Sequence, residues 1–207
     1  MTTLKNIEKY VNELGSDDLP TFGGTYEGGT HIQQIPDEIA PCILAMLESG
    51  QKINSYLEIG VAAGGMAVLF EHYFHPLSIV LIDDNKHHKA ALREDVMKGI
   101  TYQEIIGRSD DEQSLTTLSN MDTLFDAIMI DGDHLYPAVK TDTLLYAPFL
   151  RPGGFLLLHD SAIPEWGVQR VVRELKEDRG LSFINEYVSQ THKPCGVALF
   201  RKGKTVQ

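Results

Sequence analysis

The sequence predicts a doubly wound α/β domain, in which helices cover both faces of a seven-stranded, mostly parallel sheet whose last strand is antiparallel. Short apolar runs alternate with helical segments along most of the chain, the pattern of a parallel sheet covered by helices. A glycine-rich turn follows the first of these runs. The two closing runs have no helical pattern between them, which indicates an antiparallel ending.

The first 50 residues are predicted to form a helical cap and a substrate loop that belong to the same domain as the core, residues 51–207. Apolar residues at helical spacing predict helices over 4–14 and 37–48. Between them, residues 22–29 are glycine-rich and polar, which indicates a loop. We expect this loop and the preceding helix to close the substrate site.

Strands in the core are assigned to short apolar runs, and helices to segments with a period near 3.6 residues. The predicted strands cover residues 55–59, 78–82, 101–106, 125–130, 155–158, 182–188 and 197–201. The predicted helices cover residues 66–73, 86–98, 137–150 and 168–178.

The composition favours a small-molecule partner. The 207 residues include 18 Lys and Arg against 29 Asp and Glu, a formal net charge of -11, whereas a nucleic-acid footprint needs clustered cations. The amino terminus lacks the apolar run of a signal peptide or a membrane span, so we expect a cytoplasmic protein. Cys42 and Cys195 are too few for a disulfide framework and are expected to be buried thiols.

The most informative local signal is the strand, turn and helix between Ser55 and the helix predicted over 66–73. Gly60 permits a tight turn with close backbone approach to a ligand, while Gly64 and Gly65 let the helix pack near the strand. Free N–H groups at the helix start suit a nucleotide-like molecule. A plain tight connection between strand and helix is the alternative explanation of these glycines.

Acidic residues around this turn help to distinguish between cofactors. Asp83 and Asp84 end the second predicted strand, where ribose hydroxyls would lie, and Asp83 is the preferred ribose ligand. Ala62 stands where a dinucleotide fingerprint has its second glycine. Glu58 offers a carboxylate to a charged amino-acid portion, which S-adenosylmethionine has and NAD lacks. These residues favour the methyl donor.

The same residues resemble a known family. The sequence Leu-Glu-Ile-Gly at 57–60, followed by Gly64 and Gly65, looks like motif I of the class I S-adenosylmethionine-dependent methyltransferases. Asp83 is similar to the ribose-binding acid of these enzymes. The resemblance implies a Rossmann-like fold with the cofactor seated on the turn after Glu58.

Further motifs narrow the resemblance to the class 24, cephalosporin-hydroxylase-like group of small-molecule O-methyltransferases. They are Asp-Gly-Asp-His-Leu-Tyr at 131–136, Pro-Gly-Gly at 152–154 and His-Asp at 159–160. Ile-Gly-Arg-Ser at 106–109 is similar to the family's turn beside adenine. The residues thus assigned to the cofactor are Glu58, Gly60, Ala62, Gly64, Gly65, Asp83, Asp84, Ser109 and Asp131.

The reactive groups are expected beside the cofactor. Asp131 and Asp160 follow the fourth and fifth predicted strands, so they should face one crevice and are assigned as ligands of a divalent cation, with Mg²⁺ as the candidate. Such a cation would orient an acceptor hydroxyl and lower its pKa. His134 is the candidate base, with Asp131 as the second catalytic residue. Alternatively, the two acids bind loop amides or the cofactor's ammonium group, and His134 only orders a turn.

Metal dependence is left open by the sequence, because related metal-dependent enzymes bring a third oxygen or amide ligand beside the fifth-strand acid. The neighbours here are His159 and Ser161, which are poor ligands for Mg²⁺.

We therefore expect an S-adenosylmethionine-dependent methyltransferase that acts on a hydroxyl of a small molecule, with no nucleic-acid or membrane partner. The alternatives are an NAD-linked oxidoreductase and a non-catalytic cofactor-binding protein. The identity of the acceptor and a homo-oligomeric state are left open.

Overall fold

Seven strands form one sheet in the order β3-β2-β1-β4-β5-β7-β6. The computed structural model describes residues 2–16, 31–190 and 194–203. The strands are β1 (Ser55–Ile59), β2 (Ser78–Asp83), β3 (Gln103–Ile106), β4 (Phe125–Ile130), β5 (Leu150–His159), β6 (Leu181–Tyr187) and β7 (Val197–Lys202). β7 runs antiparallel to β5 and β6, while the other neighbouring strands are parallel. The predicted sheet and its antiparallel last strand are confirmed.

Helices lie along the chain between the strands, as predicted. They are α1 (Leu4–Val11), α2 (Pro36–Glu48), α3 (Gly65–Phe74), α4 (Arg93–Val96), α5 (Glu112–Ser119), α6 (Tyr136–Tyr146) and α7 (Val168–Leu175). In the part of the chain that the structure describes, no helix is both long and apolar enough to cross a membrane. The predicted loop over 22–29 lies outside the described residues.

Two helical segments differ from the prediction. α5 is not predicted, because Leu115 and Leu118 are its only apolar side chains. The helix predicted over 86–98 is a 3-10 segment, His88–Leu92, followed by the single turn of α4. Carboxylates of the preceding acids accept the backbone N–H groups of Asn85 and Lys86, which folds the chain into a turn where the helix was expected to begin.

The core contains two large apolar clusters, one on each face of the sheet, because successive side chains of a strand point to opposite faces. A small third cluster contains Ile35, Ile163 and Cys195. In β1, Tyr56 belongs to one cluster and Leu57 to the other. The first cluster includes side chains of α1, α2 and α3, and the second includes side chains of α5, α6 and α7. Both faces of the sheet are thus covered, and a ligand can reach the central strands only at their ends.

Candidate active site

A cavity of about 550 Å³ opens at the carboxyl ends of β1, β2, β4 and β5, the edge at which doubly wound sheets bind ligands. Residues 31–34, just before α2, form one wall, and Trp166 contributes to another. The cavity is lined by these predicted site residues: Glu58, Gly60, Ala62, Gly65, Asp83, Asp84, Ser109, Asp131, His134 and Asp160. The structure therefore brings the two predicted constellations into one site. Gly64 precedes α3 and is not among the lining residues.

The turn after β1 passes very close to the end of β4. Gly60 has a φ of +79°, and a β carbon at this position would lie 2.5 Å from the backbone carbonyl carbon of Asp131 and 2.6 Å from Cα of Gly132. The Gly60 N–H donates to Ile82 O at 3.0 Å, and Asp131 N–H donates to Ile59 O at 2.8 Å. Only glycine combines this conformation with this approach, so the turn fixes the floor of the cavity.

Asp83 holds the turn together. Its Oδ2 accepts the backbone N–H groups of Val61 at 2.6 Å and Ala62 at 3.2 Å. Its Oδ1 accepts the N–H of Asn85 at 2.6 Å and lies 3.2 Å from Nη2 of Arg93. Both oxygens are thus committed to the protein in this structure, which leaves Asp83 little capacity to bind ribose hydroxyls.

Asp84 is the more accessible of the two acids. It lines the cavity, its side chain is 33% exposed, and its Oδ2 lies 2.7 Å from Nζ of Lys86. The hydrogen bond from Lys86 lowers the pKa of Asp84, so the carboxylate is ionised at neutral pH. The preference for Asp83 over Asp84 as the ribose ligand stays a prediction, and the geometry favours Asp84.

Arg93, which the sequence analysis did not identify, ties the turn to β2 and β3. Its guanidinium is buried and donates to Ala62 O through Nε at 3.0 Å and through Nη2 at 2.8 Å. It also pairs with Asp83 and contacts Glu104. An arginine in a segment predicted as an ordinary amphipathic helix gives no local signal of this role.

Glu58 lies beneath the turn and is almost completely buried, although it lines the cavity. The hydroxyl of Tyr56 donates to its Oε2 at 3.0 Å. Burial raises the pKa of Glu58 well above its ordinary value. A cationic ligand group placed at this point would favour the ionised form, so ligand binding and proton release are coupled here.

The turn after β3 forms another part of the cavity wall. Ser109 lines the cavity, and its backbone carbonyl accepts the hydroxyl of Tyr146 at 2.6 Å. Asp142 of α6 also lines the cavity, and its burial raises its pKa to about 6, against the opposing effect of a hydrogen bond with Ser109. The sequence analysis did not identify Asp142, because it lies within a helix and away from every motif.

Asp131 and Asp160 converge as predicted. Nδ1 of His159 lies 3.1 Å from Oδ1 of Asp131 and 3.2 Å from Oδ2 of Asp160. Burial by itself would raise the pKa of each carboxyl group, but the charge and hydrogen bonding of His159, together with the close approach of His134, hold both pKa values below the ordinary value. Both acids are therefore ionised over the neutral pH range.

His134 faces the same two oxygens. Its Nε2 lies 3.0 Å from Oδ2 of Asp160 and 3.6 Å from Oδ1 of Asp131, and its ring stacks on Trp166 with the centroids 4.1 Å apart. This nitrogen is buried, but neither contact has the alignment of a hydrogen bond. Burial lowers the pKa of His134, but the two carboxylates outweigh burial and raise it to about 9.

Two further side chains reach the acids from residues before and within α2. Gln34 donates through Nε2 to Oδ2 of Asp131 at 2.7 Å. Glu38 lies on the other side of His159, with its Oε1 3.1 Å from Nε2 of the ring. The sequence pattern indicates only a weak metal ligand at His159 and no role for Gln34 or Glu38.

The cluster offers ligand atoms for a cation. One atom each from Asp131, His134 and Asp160 lies within 4.8 Å of the other two. Nε2 of His134 forms an ion pair with Asp160 at 3.0 Å, and a cation bound between the two carboxylates would take the place of the proton that this ion pair requires. The carboxylate oxygens suit Mg²⁺, while the imidazole nitrogen is also accepted by ions such as Mn²⁺ and Zn²⁺.

Comparison with known proteins agrees with this geometry. The chain is 30% identical over 158 residues to demethylmacrocin O-methyltransferase of Streptomyces fradiae, an alignment that covers 75% of this chain and 37% of that enzyme. An O-methyltransferase structure from Bacillus cereus, described in complex with SAH, superposes with a TM-score of 0.64 at 15% identity and covers 96% of this chain and 88% of its own. These similarities confirm the fold. The chain spans well under two thirds of the Streptomyces enzyme.

A second solved structure is the MycE methyltransferase from the mycinamycin biosynthetic pathway, described in complex with Mg, SAH and mycinamycin VI. Its TM-score is 0.57 at 20% identity, over 80% of this chain and 50% of that one.

A family model described as a methyltransferase domain, of class 24, matches residues 57–161. The matched stretch begins within β1 and ends just beyond Asp160, so it includes both the glycine turn and the acids at the far end of the cavity. The chain accordingly belongs to the class 24 methyltransferase-domain family, as its motifs predict.

Proposed function

We propose that this protein transfers the methyl group of S-adenosylmethionine to a hydroxyl of a small molecule. The observation that carries the proposal is that one cavity joins the glycine turn to the cluster of Asp131, His134 and Asp160. A nucleoside-type ligand on the turn would extend toward the cluster, where an acceptor hydroxyl can be held. Methyl transfer requires this kind of alignment of donor and acceptor.

Successive residues along the cavity match successive parts of the cofactor. The backbone at Gly60 leaves room for close approach, and Glu58 offers a carboxylate to the ammonium group. Asp84 is the better placed acid for the ribose hydroxyls, since Asp83 is occupied by the turn itself. Ser109 and Asp142 line the same cavity and would contact the adenine ring.

The acid cluster fits a divalent cation, for which Mg²⁺ is the first candidate. Asp131 and Asp160 would supply oxygen ligands, and His134 would supply a nitrogen that extends the choice to Mn²⁺. When bound, the cation would supply Lewis acidity that lowers the pKa of the acceptor hydroxyl. MycE, which is described with Mg and SAH, supports this assignment by its similar fold.

His134 has two candidate roles that exclude each other at any one moment, because a nitrogen bound to a cation cannot accept a proton. Without a cation the two carboxylates raise the pKa of His134 to about 9, so Nε2 is protonated at neutral pH and is a poor base. A cation bound between the carboxylates would displace that proton, which favours the ligand role. The role of base, predicted from the sequence, is the alternative. Replacing His134 with Asn separates them, since loss of a ligand lowers cation affinity while loss of a base lowers only turnover.

We propose a hydroxylated small molecule as the acceptor, in line with demethylmacrocin O-methyltransferase and with mycinamycin VI in the MycE structure. The net charge of -11 disfavours a nucleic-acid acceptor. In this proposal residues 1–50 form the cap over the acceptor, and the protein works in the cytoplasm.

The test is isothermal titration of the purified protein with S-adenosylmethionine and S-adenosylhomocysteine, with and without Mg²⁺ and with NADH as the control. Binding of the first two should be followed by a screen of sugars, polyols and catechols in which release of S-adenosylhomocysteine is measured. Preferential binding of NADH would indicate the oxidoreductase instead. Tight binding without turnover on any acceptor would support a non-catalytic cofactor-binding protein.

A further inference from the structure

Glu38 occupies an unusual position for a buried acid. It lies in the first turn of α2 with no exposed surface. Its Oε1 accepts the backbone N–H of Ile35 at 2.9 Å, and its Oε2 accepts that of Gly196 at 2.8 Å. The same Oε1 also lies 3.1 Å from Nε2 of His159. One carboxylate therefore joins α2, the residue before β7 and the end of β5.

The His159 ring stands between Glu38 and the acid cluster. One ring nitrogen faces Glu38, and the other faces Asp131 and Asp160 at 3.1 and 3.2 Å. Since carboxylates only accept hydrogen bonds, each ring nitrogen must carry a hydrogen to satisfy both sides. Rotation of the ring would break a charge-assisted hydrogen bond on each side, so the ring orientation is fixed from two directions.

We propose that Glu38 is a positioning residue that acts through His159 to set the spacing of Asp131 and Asp160. The inference rests on the proposed cation site. It adds a residue that supports this site and lies outside the region matched by the family model, 57–161. Histidines and carboxylates that hydrogen-bond metal ligands orient those ligands, and their loss typically lowers metal affinity about 10–100-fold. Glu38 and His159 form such a chain here, with the acids at its end.

The contacts of Glu38 extend beyond the backbone. The N–H groups of Ile35 and Gly196 donate to different oxygens of Glu38, and a carboxylate accepts both, whereas an amide side chain has only one acceptor oxygen. The charge of the buried carboxylate is matched by His159, and of the three contacts this is the one that leads to the cavity. Glu38 therefore has a partner beside the acid cluster in addition to its backbone contacts.

The experiment measures Mn²⁺ binding by electron paramagnetic resonance, which reports free Mn²⁺ directly and needs no turnover. Glu38→Gln keeps the size of the side chain but removes its charge, and we expect about a 10–100-fold lower Mn²⁺ affinity. The affinity for S-adenosylhomocysteine without metal should stay within about twofold, because the glycine turn is untouched.

Asp126 provides the matched control. It is also a buried acid, and it accepts the backbone N–H groups of Asn54 and Ser55 at 2.9 and 3.1 Å, but it lies at the opposite end of β4. Asp126→Asn should lower the melting temperature and leave the Mn²⁺ affinity unchanged.

A second variant tests the chain from its other end without touching the backbone contacts of Glu38. His159→Asn should lower Mn²⁺ affinity to a similar extent, and the double variant should lose little more than either single variant, since both remove the same chain. Losses that simply add would overturn the proposal. So would wild-type Mn²⁺ affinity in Glu38→Gln, or, if that variant does not fold, in His159→Asn. If the wild-type protein itself binds neither Mn²⁺ nor S-adenosylhomocysteine, the proposed function fails instead.

Discussion

The close approach of the glycine turn to β4 can be measured with three glycine-to-alanine variants. Gly50 has a φ of +69° and open space around it, so Gly50→Ala reports the conformational cost alone. Gly65 has no positive φ, but its β carbon would lie 2.6 Å from Cβ of Ile32, so Gly65→Ala reports crowding alone. Gly60→Ala combines both costs, since Gly60 has a positive φ and lies against Asp131 and Gly132.

The expected magnitudes follow from these two costs. A left-handed conformation costs an L residue about 1 kcal/mol, and forcing a methyl group into a filled space costs about 2 kcal/mol. Gly50→Ala should therefore lower the free energy of unfolding by about 1 kcal/mol, Gly65→Ala by about 2 and Gly60→Ala by about 3. For a chain of this size, the melting temperatures should fall by about 2–4, 4–8 and 6–12 °C.

The assay is urea and thermal unfolding followed by circular dichroism, together with titration of S-adenosylhomocysteine. Gly60→Ala and Gly65→Ala should weaken binding, because each displaces a wall of the cavity, whereas Gly50→Ala should bind normally. If Gly60→Ala were no less stable than Gly50→Ala, the close approach of the turn to β4 would be refuted.

Three further predictions concern charge at the site. Above pH 4.5 Glu58 is ionised in the unfolded chain but protonated in the folded protein, so Glu58 lowers the wild-type free energy of unfolding by about 1.4 kcal/mol per pH unit up to its raised pKa. Ligand-free Glu58→Gln should thus melt at a higher temperature than wild type at pH 7.5, with a gain that shrinks toward pH 4.5. A difference in melting temperature that does not depend on pH would contradict this. Asp84→Asn should weaken S-adenosylhomocysteine binding by about 10–100-fold with little change in melting temperature. Asp83→Asn should lower both the binding affinity and the melting temperature. Normal binding by Asp84→Asn would return the ribose role to Asp83. Removal of divalent cations with EDTA should lower the rate of methyl transfer by more than about 100-fold and leave S-adenosylhomocysteine binding intact. Addition of Mg²⁺ or Mn²⁺ should restore the activity. Full activity in EDTA would exclude a role of the cation in methyl transfer.

The local sequence pattern was sufficient to predict those strands of the sheet that are continuous, mostly apolar runs. β1 and β4 are predicted to the residue, because each is a short, mostly apolar run that is buried along its whole length and is followed by Gly60 or Asp131. β5 begins at Leu150, five residues before the predicted start, because Pro152 and the following glycines suggest a turn. The structure extends the strand through them by a shift of register against β4 between Phe125 and Ala127.

The site was predictable only where its residues follow strands. The motif acids and the glycine turn lie at strand ends, and the topology of a parallel sheet brings such ends together. Glu38 reaches His159 across 121 positions of sequence, and Gln34 reaches Asp131 across 97. No periodicity or turn signal specifies which distant side chains will meet, so these partners and the pairing of Arg93 with Asp83 become visible only in three dimensions.

The place of β7 in the sheet has a consequence for folding. β7 lies between β5 and β6, although it follows β6 along the chain. During folding β6 therefore cannot join the sheet until β7 is in place, and until then one edge of β5 stays open, with unpaired backbone groups that invite association with other chains. Insertion of β7 closes both edges together and brings the Gly196 N–H to Glu38. The contact between Gly196 and Glu38, which lies beside the candidate site, is therefore completed only when β7 joins the sheet.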